Sequence, residues 1–356
     1  LSENDLEKAR TAYEQAVRRN PALIASWKAL TNLYGMAGLG EQTNLARQEV
    51  AYLESLPDEL LGVLSLINEG KLFKADQLCR HFLRSNKQHV EGMRLLAMIG
   101  EQIGVLMDAE FLLETALELE PDYPRLRYDY ANLLLKMQKF EKAREETARL
   151  VTAEPDNLRH LALHANALAG VGDHEAAIEA YNTVIGERPG QFVLHVMRGH
   201  AEKTIGRLQD AITSYQSASE LQPLYGDAFW SLANTKTYRF APDEIEHMRR
   251  AEADQRIGVD DRIHMCFALG KALEDAGEYE ESFTFYERGN LLKQGVVKHR
   301  RDFLEQRVQA QKAVCTREHF AAREAVGCPA PDPIFIVGLP RAGSTLLEQI
   351  LASHSM

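Results

Sequence analysis

The sequence holds little of what would place it in a bilayer, on a nucleic acid or in an oxidising compartment. Among its 356 residues there is no apolar run of about eighteen or more, so no segment is predicted to span a membrane. Positive charge is in deficit, with 41 Lys and Arg against 52 Asp and Glu, a formal charge of −11. That balance speaks against broad neutralisation of phosphates, and no nucleic-acid partner is expected. Cysteine is scarce and scattered, at Cys79, Cys266, Cys315 and Cys328. Cys79 and Cys266 fall at helix-packing positions, so buried thiols are expected in place of bridges or a metal site, which favours a reducing cytoplasm. The chain opens on Leu1 and not on Met, which leaves a leader open.

What is present is a period. Ala109, Ala143, Ala177 and Ala211 recur every 34 residues, and so do Pro121, Pro155, Pro189 and Pro223. A third ladder of small residues, Ala97, Ala131, Ala165, Gly199 and Ala233, keeps the same step. These ladders resemble the tetratricopeptide repeat, in which two helices approach closely where small side chains meet and proline closes the second helix. The residue four after each helix-B alanine, Leu113, Tyr181 or Tyr215, with Thr147 as the exception, is then expected to pack against the next repeat. The frame is damaged at both ends. Ala9, Tyr13, Ala16 and Pro21 read as half of a first repeat, Trp27, Leu30 and Tyr34 open the next, and Ala46 and Ala75 mark two B helices out of step. The frame slips again around Pro242 and recovers at Gly270, Gly277, Ser282 and Tyr286. Roughly eight helix pairs follow, enough to stack a continuous core.

Asn132, Asn166 and Asn234, with Asn32 earlier and His200 between, each follow the small residue of a first helix, a position that lines the inner groove. Resemblance to repeat proteins that hold extended peptides on an asparagine ladder implies that these side chains contact a peptide backbone, giving the groove a protein partner. The alternative is a solvated helix face.

From about Leu291 to Ala325 the chain reads as one or two basic helices, and three prolines between Gly327 and Pro333 mark a boundary. Beyond it the apolar run Ile334-Phe335-Ile336-Val337 leads into Gly338-Leu339-Pro340-Arg341-Ala342-Gly343-Ser344-Thr345, and Leu346, Leu347, Ile350 and Leu351 then space as a helix. Strand, glycine loop and helix form an anion-binding geometry, because the first helical amides lack partners and the helix dipole adds positive charge. The glycine frame is that of a nucleotide P-loop, but Ser344 stands where that loop needs Lys, which argues against an ATPase.

The run Pro340-Arg341-Ala342-Gly343-Ser344-Thr345-Leu346 resembles the 5′-phosphosulfate loop of sulfotransferases, nearest the tyrosylprotein sulfotransferase group and its bacterial relatives with tetratricopeptide repeats. It departs from the family's Pro-Arg-Ser-Gly-Thr-Thr-Leu in Ala342 for serine, which removes a hydroxyl, and in Ser344 for threonine, which keeps one. The resemblance implies that Arg341, Ala342, Gly343, Ser344 and Thr345 bind 3′-phosphoadenosine 5′-phosphosulfate (PAPS), that Arg341 acts in catalysis, and that no metal is required. It implies transfer to a hydroxyl acceptor, a polypeptide or another molecule. The family's base and 3′-phosphate residues lie downstream of this loop, so the chain reads as a fragment, inactive by itself.

The expected fold is mostly α: a right-handed tetratricopeptide superhelix over 1–290, a basic connector over 291–330, and over 331–356 the first strand-loop-helix of an α/β sulfotransferase domain. The competing reading is a protein-interaction scaffold with a vestigial phosphate loop.

Overall fold

The computed structural model describes residues 3–297, 301–323, 326–327, 334–339 and 342–354. Two compact units divide the chain, Leu1–Lys293 and Gln294–Met356. The first unit runs α1 (Glu3–Arg19), α2 (Ile24–Met36), α3 (Gly40–Glu54), α4 (Asp58–Asn68), α5 (Leu72–Ser85), α6 (Val90–Ile103), α7 (Leu106–Leu119), α8 (Pro124–Lys136), α9 (Phe140–Ala153), α10 (Leu158–Val171), α11 (His174–Glu187), α12 (Phe192–Thr204), α13 (Leu208–Leu221), α14 (Gly226–Ala233), α15 (Pro242–Ala253), α16 (Val259–Ala276) and α17 (Tyr279–Val296). The second holds α18 (Arg301–Val314), α19 (Arg317–Ala321) and α20 (Ser344–Ala352).

The period of the sequence becomes the period of the helices. Helices α6, α8, α10, α12 and α14 start at residues 90, 124, 158, 192 and 226, and α7, α9, α11 and α13 end at 119, 153, 187 and 221, each two residues before its proline. Proline has no amide to continue the ladder, so the second helix of each pair stops there. Ala109, Ala143, Ala177 and Ala211 are fully buried, as are Ala131 and Ala165. Where the small residue is Gly199 the reason is measurable: a Cβ built there would lie 2.5 Å from the Tyr215 ring. Gly270 meets Tyr286 in the same way, at 2.7 Å, after the frame has recovered.

Leu113, Tyr181 and Tyr215 are all buried in the core, and so is Thr147. The exception has its own chemistry. Thr147 Oγ1 donates to the Ala143 carbonyl at 2.8 Å and lies 2.9 Å from His164 Nδ1. A buried hydroxyl has therefore been given partners, as it must be.

A further repeat device lies one turn on. The side chain six residues after a repeat proline returns a hydrogen bond to that proline's carbonyl: Trp27 Nε1 to Pro21 at 2.8 Å, His195 Nε2 to Pro189 at 3.1 Å, and Arg127 to Pro121. Each bond satisfies a carbonyl at the joint between consecutive pairs.

Successive first helices touch one another, α6 with α8, α8 with α10, α10 with α12 and α12 with α14, so they form the inner wall of the stack. At two places the register breaks. Only Ser55, Leu56 and Pro57 separate α3 from α4, and Ala46 and Ala75 stand 29 residues apart in place of 34. At the second break α14 stops after 8 residues, with Lys236 at φ 65° and α15 starting only at Pro242.

In the second unit no strand is found among the described residues. Residues 334–339 form neither helix nor strand, and Ile334, Phe335 and Val337 are exposed. A strand needs a neighbour for its amides and a cover for its apolar faces; the described residues supply neither. Helix α20 follows the apolar spacing of Leu346, Leu347, Ile350 and Leu351.

Candidate functional site

Helix α20 begins on Gly343, whose φ of 87° is open to glycine at little cost and strained for other residues. The Ala342 amide donates to the Leu339 carbonyl at 3.1 Å and closes the turn. The helix ladder then starts with the Leu347 amide on the Gly343 carbonyl at 3.0 Å. The amides of Ser344, Thr345 and Leu346 thus belong to the helix start and have no intrahelical acceptor. Ser344 and Thr345 are exposed beside them. Of the expected PAPS residues, Ala342, Gly343, Ser344 and Thr345 are brought to one helix start, with the Ala342 amide already committed. Arg341 and Pro340 lie outside the described residues, as do His299, Arg300 and Cys328.

In the first unit the inner-wall residues are tied into the fold more than a free ladder would be. Asn132 Nδ2 donates to the Tyr128 carbonyl at 2.9 Å. Asn166 Oδ1 accepts from Tyr181 Oη at 2.7 Å, and His200 Nδ1 lies 2.9 Å from Tyr215 Oη. Asn234 is exposed at the end of α14, where its carbonyl accepts from Lys203 Nζ at 3.0 Å. Asn166 and His200 each use a polar atom to satisfy the tyrosine that fills the joint. Burial holds the imidazoles of His164 and His200 below the usual histidine range.

A second feature went unread in the sequence. A cavity of about 670 Å³ is lined by Leu45, Tyr52, Arg94, Arg125, Tyr128 and His160, among others. Its floor is a buried ion cluster. Arg94, whose side chain is 5% exposed, donates to Glu91 Oε1 at 2.8 Å through Nε, to Tyr52 Oη at 2.7 Å, and to Asp129. Tyr123 Oη donates to the other Glu91 oxygen at 2.9 Å. Burial pushes the Glu91 carboxyl up, but Arg94 and the two phenols outweigh it and hold the group below its usual range. For Asp129 burial wins over Arg94, and its pKa is raised. At the rim Arg125 pairs with Glu49 at 2.6 Å and stacks 3.9 Å over Tyr52, while Arg188 pairs with Glu41. These pairs join α3 to the start of α8 and to the turn after α11, as far as 147 residues along the chain. Self-comparison carries a signal for this site: the column of Arg94 otherwise holds Tyr128, Ala162, Val196 and Trp230, and that of Asp129 holds Leu95, Leu163, Met197 and Ser231.

Among the described residues no group of three His, Cys, Asp or Glu is placed to hold a metal, and no helix is long and apolar enough to cross a membrane.

Comparison with known proteins divides along the same lines. Residues 107–167 match one tetratricopeptide-repeat family model, and 1–23 and 263–294 match another. Residues 333–356 match the sulfotransferase family. A protein of Aquifex aeolicus described only as uncharacterized is 23% identical over 371 residues, which is 100% of this chain and 44% of that protein. The chain therefore spans less than half of that relative's length. Among solved structures, MamA from Desulfovibrio magneticus RS-1 is 19% identical with a TM-score of 0.44, covering 48% of this chain and 98% of that one. A MamA AMB-1 structure is 20% identical with a TM-score of 0.43, covering 47% and 99%. Helix boundaries, buried ladders and the repeat-family matches agree that the chain carries tetratricopeptide repeats.

Proposed function

We propose that this chain belongs to a PAPS-dependent sulfotransferase whose repeat groove docks a polypeptide, as acceptor or as partner. The observation that carries the transferase half is the open start of α20 at Gly343 within the 333–356 match. PAPS supplies the sulfuryl group, and negative charge grows on the oxygen that bridges it to the leaving phosphate. The uncommitted amides of Ser344 and Thr345, their hydroxyls and the N-terminal end of the α20 dipole are preorganised donors for that charge. Arg341 is assigned the transferring oxygens, where a planar guanidinium can donate two bonds. No metal is needed for this role, because loop and guanidinium carry the positive charge. Ala342 supplies no hydroxyl, so Ser344 and Thr345 are the side-chain donors of the loop.

Calorimetry with adenosine 3′,5′-bisphosphate tests the reading. The full-length protein, with the 3′-phosphate residues expected downstream of the loop, should bind it with a Kd in the micromolar range, and Gly343→Val, which places a β-branched residue at φ 87°, should abolish that binding while the circular dichroism of the repeats stays unchanged. Absence of binding at millimolar nucleotide would leave only the second reading, a scaffold with a vestigial loop. That reading is favoured by the cavity and ion cluster, which need no nucleotide.

A further inference from the structure

The cavity of the first unit holds more polar chemistry than its ion pairs use. Three of its carboxylates are answered within it: Glu41 by Arg188, Glu49 by Arg125 and Asp129 by Arg94. Glu154 accepts from Asn157 Nδ2 at 2.7 Å. The fourth arginine of the wall, Arg159, has no carboxylate partner among the described residues, and its guanidinium lies 4.8 Å over the Tyr128 ring. The Tyr128 hydroxyl is without a hydrogen-bond partner among the same residues. Asp156, exposed in the turn before α10, has no cation partner among them.

The repeat columns show that these groups are local additions. Arg159 shares its column with Glu91, Arg125, Val193 and Asp227, so arginine stands at the two positions of that column that line the cavity. His160 shares its column with Gly92, Leu126, Leu194 and Ala228, none of them with a polar side chain. It is 7% exposed, lines the cavity, and has its ring centre 5.9 Å from that of Tyr128. Its Nδ1 is buried with no hydrogen-bond partner among the described residues, although a Glu154 oxygen stands 3.5 Å away. A buried polar atom in an otherwise apolar column asks for a partner. Two helices also start at this wall, α8 with Pro124 and Arg125 and α10 with Leu158 and Arg159, and their dipoles add positive potential there. The start of α8 carries no side-chain cap. Leu45, Leu64, Ile67 and Met98 give the same cavity an apolar lining, of which Leu64 and Ile67 belong to the buried core.

We infer that this cavity binds a small aromatic carboxylate, with its charge on Arg159 and His160 and its ring against Tyr128 and the apolar lining. An anion is favoured because the unmatched groups gathered around Tyr128 are a guanidinium and an imidazole, at the starts of two helices. An aromatic body is favoured because a guanidinium stacked on one ring offers its other face to a second. A small molecule is favoured over a polypeptide because the pairs Arg188–Glu41 and Arg125–Glu49 tie α3 across the cavity, joining residues 147 and 76 positions apart. A volume of about 670 Å³ is that of an ordinary small-molecule site. The inference goes beyond the proposed function, since it needs neither PAPS nor a docked polypeptide.

The test is calorimetry of the whole chain, without nucleotide, using indole-3-propionate, its neutral amide indole-3-propionamide and the cation tryptamine. The propionate should bind with a Kd of roughly 0.1–1 mM, an ordinary efficiency for a molecule of its size. The amide and the amine should each bind about tenfold more weakly or less. R159Q, which removes an exposed guanidinium, should weaken the propionate roughly tenfold. L45W, which adds bulk at an exposed lining residue of α3, should abolish binding with unchanged circular dichroism. R80Q, exposed on α5 and outside the lining, should change nothing. Hydrogen exchange should slow at the starts of α8 and α10 when the propionate is bound. No binding at millimolar propionate, equal binding of the three compounds, tighter binding of tryptamine, or an unaltered affinity in R159Q or L45W would overturn the inference. Displacement of the propionate by adenosine 3′,5′-bisphosphate would put the nucleotide in this cavity and overturn a separate ligand. Gly343→Val keeps the two readings apart, because it should leave propionate binding intact.

Discussion

The regular centre of the stack, from α6 to α13, and the two places where its register breaks use the same helices for different ends. In the centre one joint is repeated: a small residue where the two helices meet, a proline after the second helix and, at Pro121 and Pro189, a donor on the proline carbonyl. Polar side chains there, such as Asn166 and His200, are partly consumed by the tyrosines of the next helix. At the breaks that economy fails. Beside the short register before α4, residues of α3 line a cavity with Arg94, and at the early end of α14 Lys203 and Lys236 have no carboxylate partner among the described residues. Regularity builds the wall, and the cavity lies beside a departure from it.

The sharpest way to break this comparison is to remove the charge that holds the first departure together. Arg94→Met keeps the volume but leaves Glu91 and Asp129 buried without their cation, which should cost about 3–5 kcal/mol. Urea denaturation read by circular dichroism would measure it, and hydrogen exchange should accelerate in α6 and α8 before α11. Adding Glu91→Gln should recover part of the loss, because less charge is then left unpaired. A loss under about 1 kcal/mol would mean that the cluster is solvated and the cavity floor is not fixed by it.

A smaller effect should appear in the centre on mild acidification. Burial lowers the pKa of His160, His164, His195 and His200, which sit on α10 and α12. Glu154 near His160, and Asp227 near His200, oppose the shift without reversing it, while Arg159, Arg144, Arg198 and Lys203 add to it. Each ring takes a proton more readily in the unfolded chain, so stability is fully present above the unfolded value of about 6.5 and is lost as the pH falls below it. Thermal midpoints taken from pH 7.5 down to 5.5 should fall together with exchange protection in α10 and α12. The Glu91 carboxyl, held low, does not titrate in that window. Exchange that loosens first in α4 and α5 would contradict this assignment.

Much of the wall was legible because the physics behind it is local and repeated. Ala109 and its successors, and the prolines, fix helix ends to the residue, and Thr147 announced itself as the one column member that differed. The asparagine column was legible as a place but not as chemistry, since the partner of Asn166 is a tyrosine 15 residues on, in the next helix. The cavity was not read, because it joins residues from Pro21 to Arg188 that stand far apart in the chain and carry no shared motif. The loop at Gly343 was legible as a turn and a helix start. The run before it reads as a strand by composition, yet a strand also needs a neighbour.

The smallest effect tests the regular centre on its own terms. Gly104, Gly172 and Gly206 end their helices at φ of 86°, 91° and 84°, and in the same column Gln138 is held at 58°. The closing bonds are alike: Val105 to Gly100 at 2.8 Å, Asp173 to Leu168 at 3.0 Å, Arg207 to Glu202 at 2.9 Å and Lys139 to Leu134 at 2.9 Å. Gln138 therefore adopts the left-handed cap by force of the repeat and against the preference of its own Cβ. Gln138→Gly should raise stability by about 0.5–1 kcal/mol, the left-handed cost removed less the entropy that glycine adds to the unfolded chain. The urea midpoint should rise with an unchanged slope. The reverse change, Gly172→Gln, should lose a similar amount. If Gln138→Gly gave nothing while Gly172→Gln was costly, the α8–α9 turn would have a relaxed cap of its own, and the centre would be less uniform than its helix boundaries make it.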